Sequence, residues 1–244
     1  MKISFSRKGF DSAAGGVPSP IIDGQPVSLP IPTRHQSMTT YGDVGLGRIV
    51  ERATQGRISG TDLCHRDPMS QDGRCAFGQI AAAQSHLAKH EFGVDDIFLF
   101  FGLFADENGR DRNHRIFGYL RVTEKIALGA KPIYPRCLEG FGYRHPHTIG
   151  TWNDNNTLYF GCGNVARKAS KELRLSKPGT VSCWKVPQWL HATGLSYHSR
   201  PDRWAVDGEL RLCSRGQEFV TSSVADNAKA RRWVADVIQE IDRA

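Results

Sequence analysis

Ile97-Phe98-Leu99-Phe100-Phe101-Gly102-Leu103-Phe104, entered through Asp95-Asp96, decides how the rest of the chain is read. The run is short, apolar throughout and rich in aromatics, which predicts a central strand. A polar connection from Asp106 to His114 returns through Arg115-Ile116-Phe117-Gly118-Tyr119-Leu120-Arg121-Val122. The second run alternates in part, as suits a sheet with helices against one face. Together the two form the core.

Working outward, Ile3-Ser4-Phe5 reads as a first strand, and Thr157-Leu158-Tyr159-Phe160-Gly161 as another after the turn Asn153-Asp154-Asn155-Asn156. Val27 to Pro32, punctuated by prolines that confine it to an edge or a non-sheet path, reads as a buried crossing segment. Leu46, Ile49, Val50 and Ala53 repeat at helical spacing up to Gly56, with Asp43 as the expected N-cap. Ala76 to Phe92 reads as an alanine-rich helix stopped by Gly93. Leu173 to Leu175 and Val181 to Val186 are strand candidates around Pro178-Gly179. A closing helix carries Trp233, Val234, Val237, Ile238 and Ile241, with Asp226 as its expected cap. No repeat or linker divides residues 1–244. The expected architecture is a single α+β domain with a central mixed, mainly antiparallel sheet, flanked by helices and long functional loops.

The formal net charge is +7 and the pI about 9.2, which favours a polyanionic partner because Lys and Arg contacts to phosphates release counterions. No apolar run is long enough to span a membrane and the first residues lack the pattern of a secretory leader, so a cytoplasmic protein is expected. Six cysteines without CxxC spacing suggest neither a zinc ribbon nor a disulfide framework.

Site chemistry gathers in several stretches. Ser6-Arg7-Lys8-Gly9-Phe10-Asp11-Ser12, followed by Gly15-Gly16, joins cations, a carboxylate and exposed backbone N–H groups in an anion-binding turn. It matches neither a Walker loop nor a dinucleotide fingerprint. Asp62-Leu63-Cys64-His65-Arg66-Asp67-Pro68 is either a polar turn or a means of placing His65 and Asp67 in a cleft. His86 and His90, four apart with no acidic third ligand nearby, read as solvated helix side chains, and nothing else calls for a metal or a cofactor. From Pro132 to Pro146, and on to His147, aromatics and cations interleave, including Tyr143 and His145, as in surfaces for single-stranded or flipped nucleotides. Tyr197-His198 and Arg215-Gly216-Gln217-Glu218 complete the polar set.

SFSRKGFDSAAGG, DIFLFFGLF, HRIFGYLRV, NTLYFG, LSYH and SRGQEFV, in this order, resemble the third of the nucleotide-modification-associated domain families over nearly the whole chain. That resemblance implies action on modified nucleotides or modified DNA, in the setting of base modification and phage conflict. It marks Arg7, Lys8, Asp11, Asn156, His198, Arg215, Gln217 and Glu218 as candidate site positions. From residue chemistry, three functions stay open. A DNA glycosylase would use Asp11 and Glu218 as carboxylates and His198 as a proton donor, with Arg7, Lys8, Asn156, Tyr143, His145, Tyr197, Arg215 and Gln217 binding a flipped modified nucleotide. An ADP-ribosyltransferase-like enzyme would use the early cation and Glu218 on NAD. A non-catalytic reader, whose Phe-rich strand pair resembles PUA-like barrels, would hold a flipped base in an aromatic cage.

Overall fold

The computed structural model describes residues 1–177, 179–205, 208–213 and 216–243. In chain order its strands are β1 (Ile3–Arg7), β2 (Ser19–Ile22), β3 (Gln25–Pro26), β4 (Ile31–Pro32), β5 (Cys64–His65), β6 (Met69–Gln71), β7 (Arg74–Gln79), β8 (Ile97–Ala105), β9 (Asn113–Ala127), β10 (Thr157–Val165), β11 (Ser176–Lys177), β12 (Thr180–Lys185), β13 (Trp204–Ala205), β14 (Glu209–Arg211) and β15 (Glu218–Val220). The helices are α1 (Gly47–Thr54), α2 (Ala81–Lys89), α3 (Gln188–Thr193) and α4 (Ala228–Asp242). Among the described residues no helix is long and apolar enough to cross a membrane.

The main sheet runs β15-β1-β8-β9-β10-β7-β6, with β2 continuing the β1 edge of β8 and β3 paired to β2. Only β1 and β2 run parallel to β8; the other pairs are antiparallel, giving the mixed, mainly antiparallel sheet of an α+β protein. Every residue of β8 is buried, and the two faces of the strand feed two different cores. Ile97, Leu99 and Phe101 pack with Trp184, Phe219 and the Val234, Val237 and Ile241 face of α4. Phe98, Phe100 and Phe104 pack with Phe77, Leu87, Phe92 and Tyr159. A strand covered on both sides has no solvent face to keep polar, which is why this run lost the alternation that β9 retains.

Three local expectations change. Residues 76–79 belong to β7, where Phe77 pairs with Tyr159, so the helix begins only at Ala81. The alanine content hid a strand whose aromatic fills the core between β8 and β10. Asp43 does not cap α1: its carboxylate accepts from Thr40 N at 2.8 Å and Thr40 Oγ1 at 2.7 Å, closing the turn before the helix, and Leu46 is the N-cap. In α4 the cap is Asn227, one residue beyond Asp226, with its side chain accepting from Ala230 N.

The sheet curls strongly. Four strands separate β15 from β7 in the pairing order, yet Gln79 at the end of β7 donates to Glu218 at the start of β15 at 2.6 Å. The curl brings the ends of β1, β7 and β15 to one place, and the cleft opens there.

Candidate functional site in the curled sheet

A cleft of about 590 Å³ is lined by Arg7, Lys8 and Asp11 from the N-terminal segment, by His65 at the end of β5 with Asp67 just after it, and by His147 from a later loop. Gly78, Gln79, Trp152 and Gln217 complete the part that matters for chemistry. Its volume falls in the range of small-molecule and nucleotide sites.

On the cationic side, β1 ends in Arg7, whose backbone N–H donates to Gln217 O at 2.8 Å. Its guanidinium lies 5.8 Å from the Phe101 ring centroid and 5.7 Å from that of Phe219, and its Nε is buried without a hydrogen-bond partner. Burial pushes its pKa down, although Asp11 works in the opposite direction. Among the described residues no carboxylate lies within ion-pair distance of it. A cation so poorly compensated is suited to an incoming anion. The following loop is held by Asp11, whose Oδ1 accepts from Ala13 N and Ala14 N, both at 2.8 Å. Gly15 must be glycine: its φ is +75°, and an added Cβ would lie 2.3 Å from the Phe10 ring.

Beneath the loop, Glu218 is only 1% exposed and does not line the cleft. Its Oε1 accepts from Ser6 Oγ at 2.8 Å, Lys8 Nζ at 3.2 Å and Gln79 Nε2 at 2.6 Å, while Oε2 accepts from Ser4 Oγ at 3.1 Å. Ser4 and Ser6 are buried because alternate residues of β1 point at this carboxylate. Lys8 is pinned further by lying 4.2 Å from the Phe77 ring centroid. Glu218 thus holds Lys8 and Gln79 in position, with every partner a donor.

The other carboxylate, Asp67, is built differently. Gly78 N donates to Oδ1 at 3.1 Å and to Oδ2 at 3.3 Å, and three imidazoles surround the rest. His145 Nε2 lies 3.3 Å from Oδ1, while His147 Nε2 and His65 Nε2 lie 3.5 and 3.7 Å from Oδ2. Burial works to raise the Asp67 pKa, but the His145 and His65 rings outweigh it and keep the group well below the usual carboxylate range. Burial pushes His147 down to about 3, against the pull of Asp67, so its ring is neutral. Trp152 stacks on His147 with centroids 4.4 Å apart and planes 7° from parallel. Gly78 makes this packing possible, because a Cβ there would meet the His147 ring at 2.3 Å. Donor atoms of His65, Asp67 and His147 all lie within 4.8 Å of one another, a set able to hold a metal ion that no spacing along the chain disclosed.

The remaining sequence candidates are dispersed. Asn156 and His145 support the Asp67 group from behind: Asn156 Oδ1 is 2.7 Å from His147 Nδ1, and both residues are fully buried. His198 lies in a separate pocket with both nitrogens engaged, Nδ1 2.8 Å from Ser196 O and Nε2 accepting from Cys213 N at 3.2 Å. Tyr197 is half-exposed and stacks on His86 at 4.3 Å, away from the cleft lining. Tyr143 lies under Arg66 at 4.8 Å in a shallow surface depression. Arg215 falls outside the described residues. Sequence reasoning missed Gly78, Gln79 and Trp152, and it named His147 without giving it a role. Its available signal was the pair His65-x-Asp67 and His145-x-His147, two i, i+2 spacings each beside a proline.

The model of nucleotide modification associated domain 3 matches residues 2–222. The chain belongs to that family. The match spans the cleft-forming loops and the whole main sheet, so both carboxylate groups lie inside the domain. No curated protein and no solved structure matches the chain.

Proposed function

We propose that this member of nucleotide modification associated domain 3 cleaves the N-glycosidic bond of a modified base in DNA. The observation that carries the reading is one cleft that joins Arg7, without an ion-pair partner among the described residues, to an ionised Asp67 ringed by imidazoles. Arg7 and Lys8 would take a phosphate of an extruded nucleotide, and the net charge of +7 would hold the strand beyond it. The Asp67 group would activate water against the anomeric carbon, and Trp152 offers an aromatic edge for the base. In this arrangement Asp67 takes the part that the sequence assigned to Asp11 and Glu218. Those two carboxylates are occupied in holding a loop and a lysine. The transferase reading loses its main support for the same reason, since Glu218 is enclosed by four donors.

The test is incubation of the protein with unmodified and hypermodified phage DNA, followed by mass spectrometry for free bases and an abasic-site assay. Release from modified DNA, abolished in Asp67→Asn and weakened in Arg7→Gln, is the expected result. Tight binding without release would replace the hydrolase with a reader of modified bases.

A further inference from the structure

Asn156 determines the state of His147. Its Nδ2 donates to His147 O at 3.0 Å and to Gly129 O at 3.3 Å. The reversed amide would set its oxygen against both carbonyls, so Oδ1 faces the imidazole as an acceptor and His147 Nδ1 carries the proton. His147 Nε2 therefore presents a lone pair to Asp67 Oδ2 at 3.5 Å. Two acceptors face each other there with no hydrogen between them.

The other carboxylate oxygen is treated differently. His147 N donates to His145 Nδ1 at 3.3 Å, leaving Nε2 of His145 3.3 Å from Asp67 Oδ1 with no hydrogen bond formed, and Gly78 N–H is shared between Oδ1 at 3.1 Å and Oδ2 at 3.3 Å. Oδ1 thus lies on the His145 side, while Oδ2 looks toward His147 and His65. His65 stands at the cleft, its ring 5.3 Å from that of His147 and 6.0 Å from that of Trp152. Around an ion at about 2.0–2.2 Å, neighbouring N and O ligands stand about 3.0–3.5 Å apart. The two imidazole distances to Oδ2, 3.5 and 3.7 Å, are within a small side-chain adjustment of that figure.

We propose that His65, Asp67 Oδ2 and His147 Nε2 bind one first-row divalent transition-metal ion, with its open coordination positions on the cleft. Two imidazoles and one carboxylate favour zinc, iron(II) or manganese over calcium or magnesium, which take oxygen donors. Asn156 behind His147, and His145 with Gly78 N–H behind Asp67, are the outer partners that such sites use to orient their ligands. The inference shares its site with the glycosidic reading but stands on donor geometry, and binding is measured without nucleic acid.

Equilibrium dialysis of the full chain against Zn(II), and against Co(II) followed by visible absorption, tests it. One ion per chain is expected, with a Co(II) spectrum of nitrogen and oxygen donors and no thiolate charge-transfer band. His65→Ala and His147→Ala should each weaken binding at least about 100-fold, and Asn156→Ala about 10- to 100-fold, the range for lost outer partners. The double variant His86→Ala/His90→Ala should bind as the parent does. No retained ion, equal retention by His65→Ala, or binding that follows the His86/His90 pair or the cysteines would overturn the proposal. His65 lies at the cleft with its ring beside Asp67 alone among the carboxylates of the described residues, so its variant keeps the test valid if a buried one fails to fold. Base release by a demonstrably metal-free protein would overturn a catalytic use of the ion while leaving the glycosidic reading intact, and metal binding without release would do the reverse.

Discussion

Glu218 and Asp67 are two buried carboxylates in one curled sheet, and they differ in how their lone pairs are used. Glu218 meets two hydroxyls, an ammonium and an amide, all donors. Asp67 meets one backbone N–H and three imidazoles, one of which presents a lone pair instead of a hydrogen. A carboxylate that meets only donors and is closed off from the cleft fixes its neighbours; one that faces a cleft and a lone pair retains capacity for chemistry. The contrast separates a strut from a site more surely than residue type does.

The sharpest way to break the comparison is to exchange the roles. Glu218→Ala strips Lys8 and Gln79 of their common partner and should destabilise the protein by about 3–5 kcal/mol, as expected when one member of a buried ion pair is removed. Asp67→Asn should abolish base release at a smaller cost in stability. Urea unfolding of both variants checks the order, and an equal loss in the two would collapse the distinction.

Acid unfolding sharpens the comparison once a histidine outside both groups is accounted for. His114, held by Trp184 Nε1 at 3.2 Å, is pushed down to about 4 by burial, with Arg7 adding to it. Its folded pKa lies below its unfolded value, so the unfolded chain binds the extra proton, and stability falls as pH drops from about 6.5 to about 4. The loss from this residue should reach about 3 kcal/mol at most and level off below pH 4. Denaturant midpoints across that window should flatten in His114→Gln.

Gly78→Ala attacks one carboxylate group alone, without altering charge. The added methyl displaces the His147 ring and should cost about 1–3 kcal/mol, as overpacking does, with base release lost and the Glu218 network intact. Thermal melts and the release assay on the same preparation check both halves. The smallest effect is expected of Asp11→Asn, because the amide oxygen can still accept from Ala13 N and Ala14 N. Activity should change by well under tenfold, less than about 1.4 kcal/mol. A larger loss would return Asp11 to the chemistry.

The sequence disclosed the parts of the fold that depend on local pattern. The apolar run of β8 needed no partner to be recognised, nor did the spacing of Val234, Val237 and Ile241 on α4. β7 was hidden because Ala76 and Gly78 are weak strand formers placed by what touches them: Gly78 has no side chain so that His147 can lie against it. The candidate site was half legible for a related reason. Arg7, Lys8 and Gln217 stand in segments whose composition marks them, and all three line the cleft. Asp67 and His147 gain their roles from each other across the fold, and nothing along the chain joins them.

The Lys8–Glu218 pair spans 210 positions, from the first strand of the sheet to the last. During synthesis the cationic turn leaves the ribosome long before the residue that anchors it, and until β15 pairs with β1 the lysine lacks its ionic partner. A nascent or truncated chain therefore carries the positive charge of Arg7 and Lys8 without the cleft that gathers them. Competence is reserved for the finished sheet.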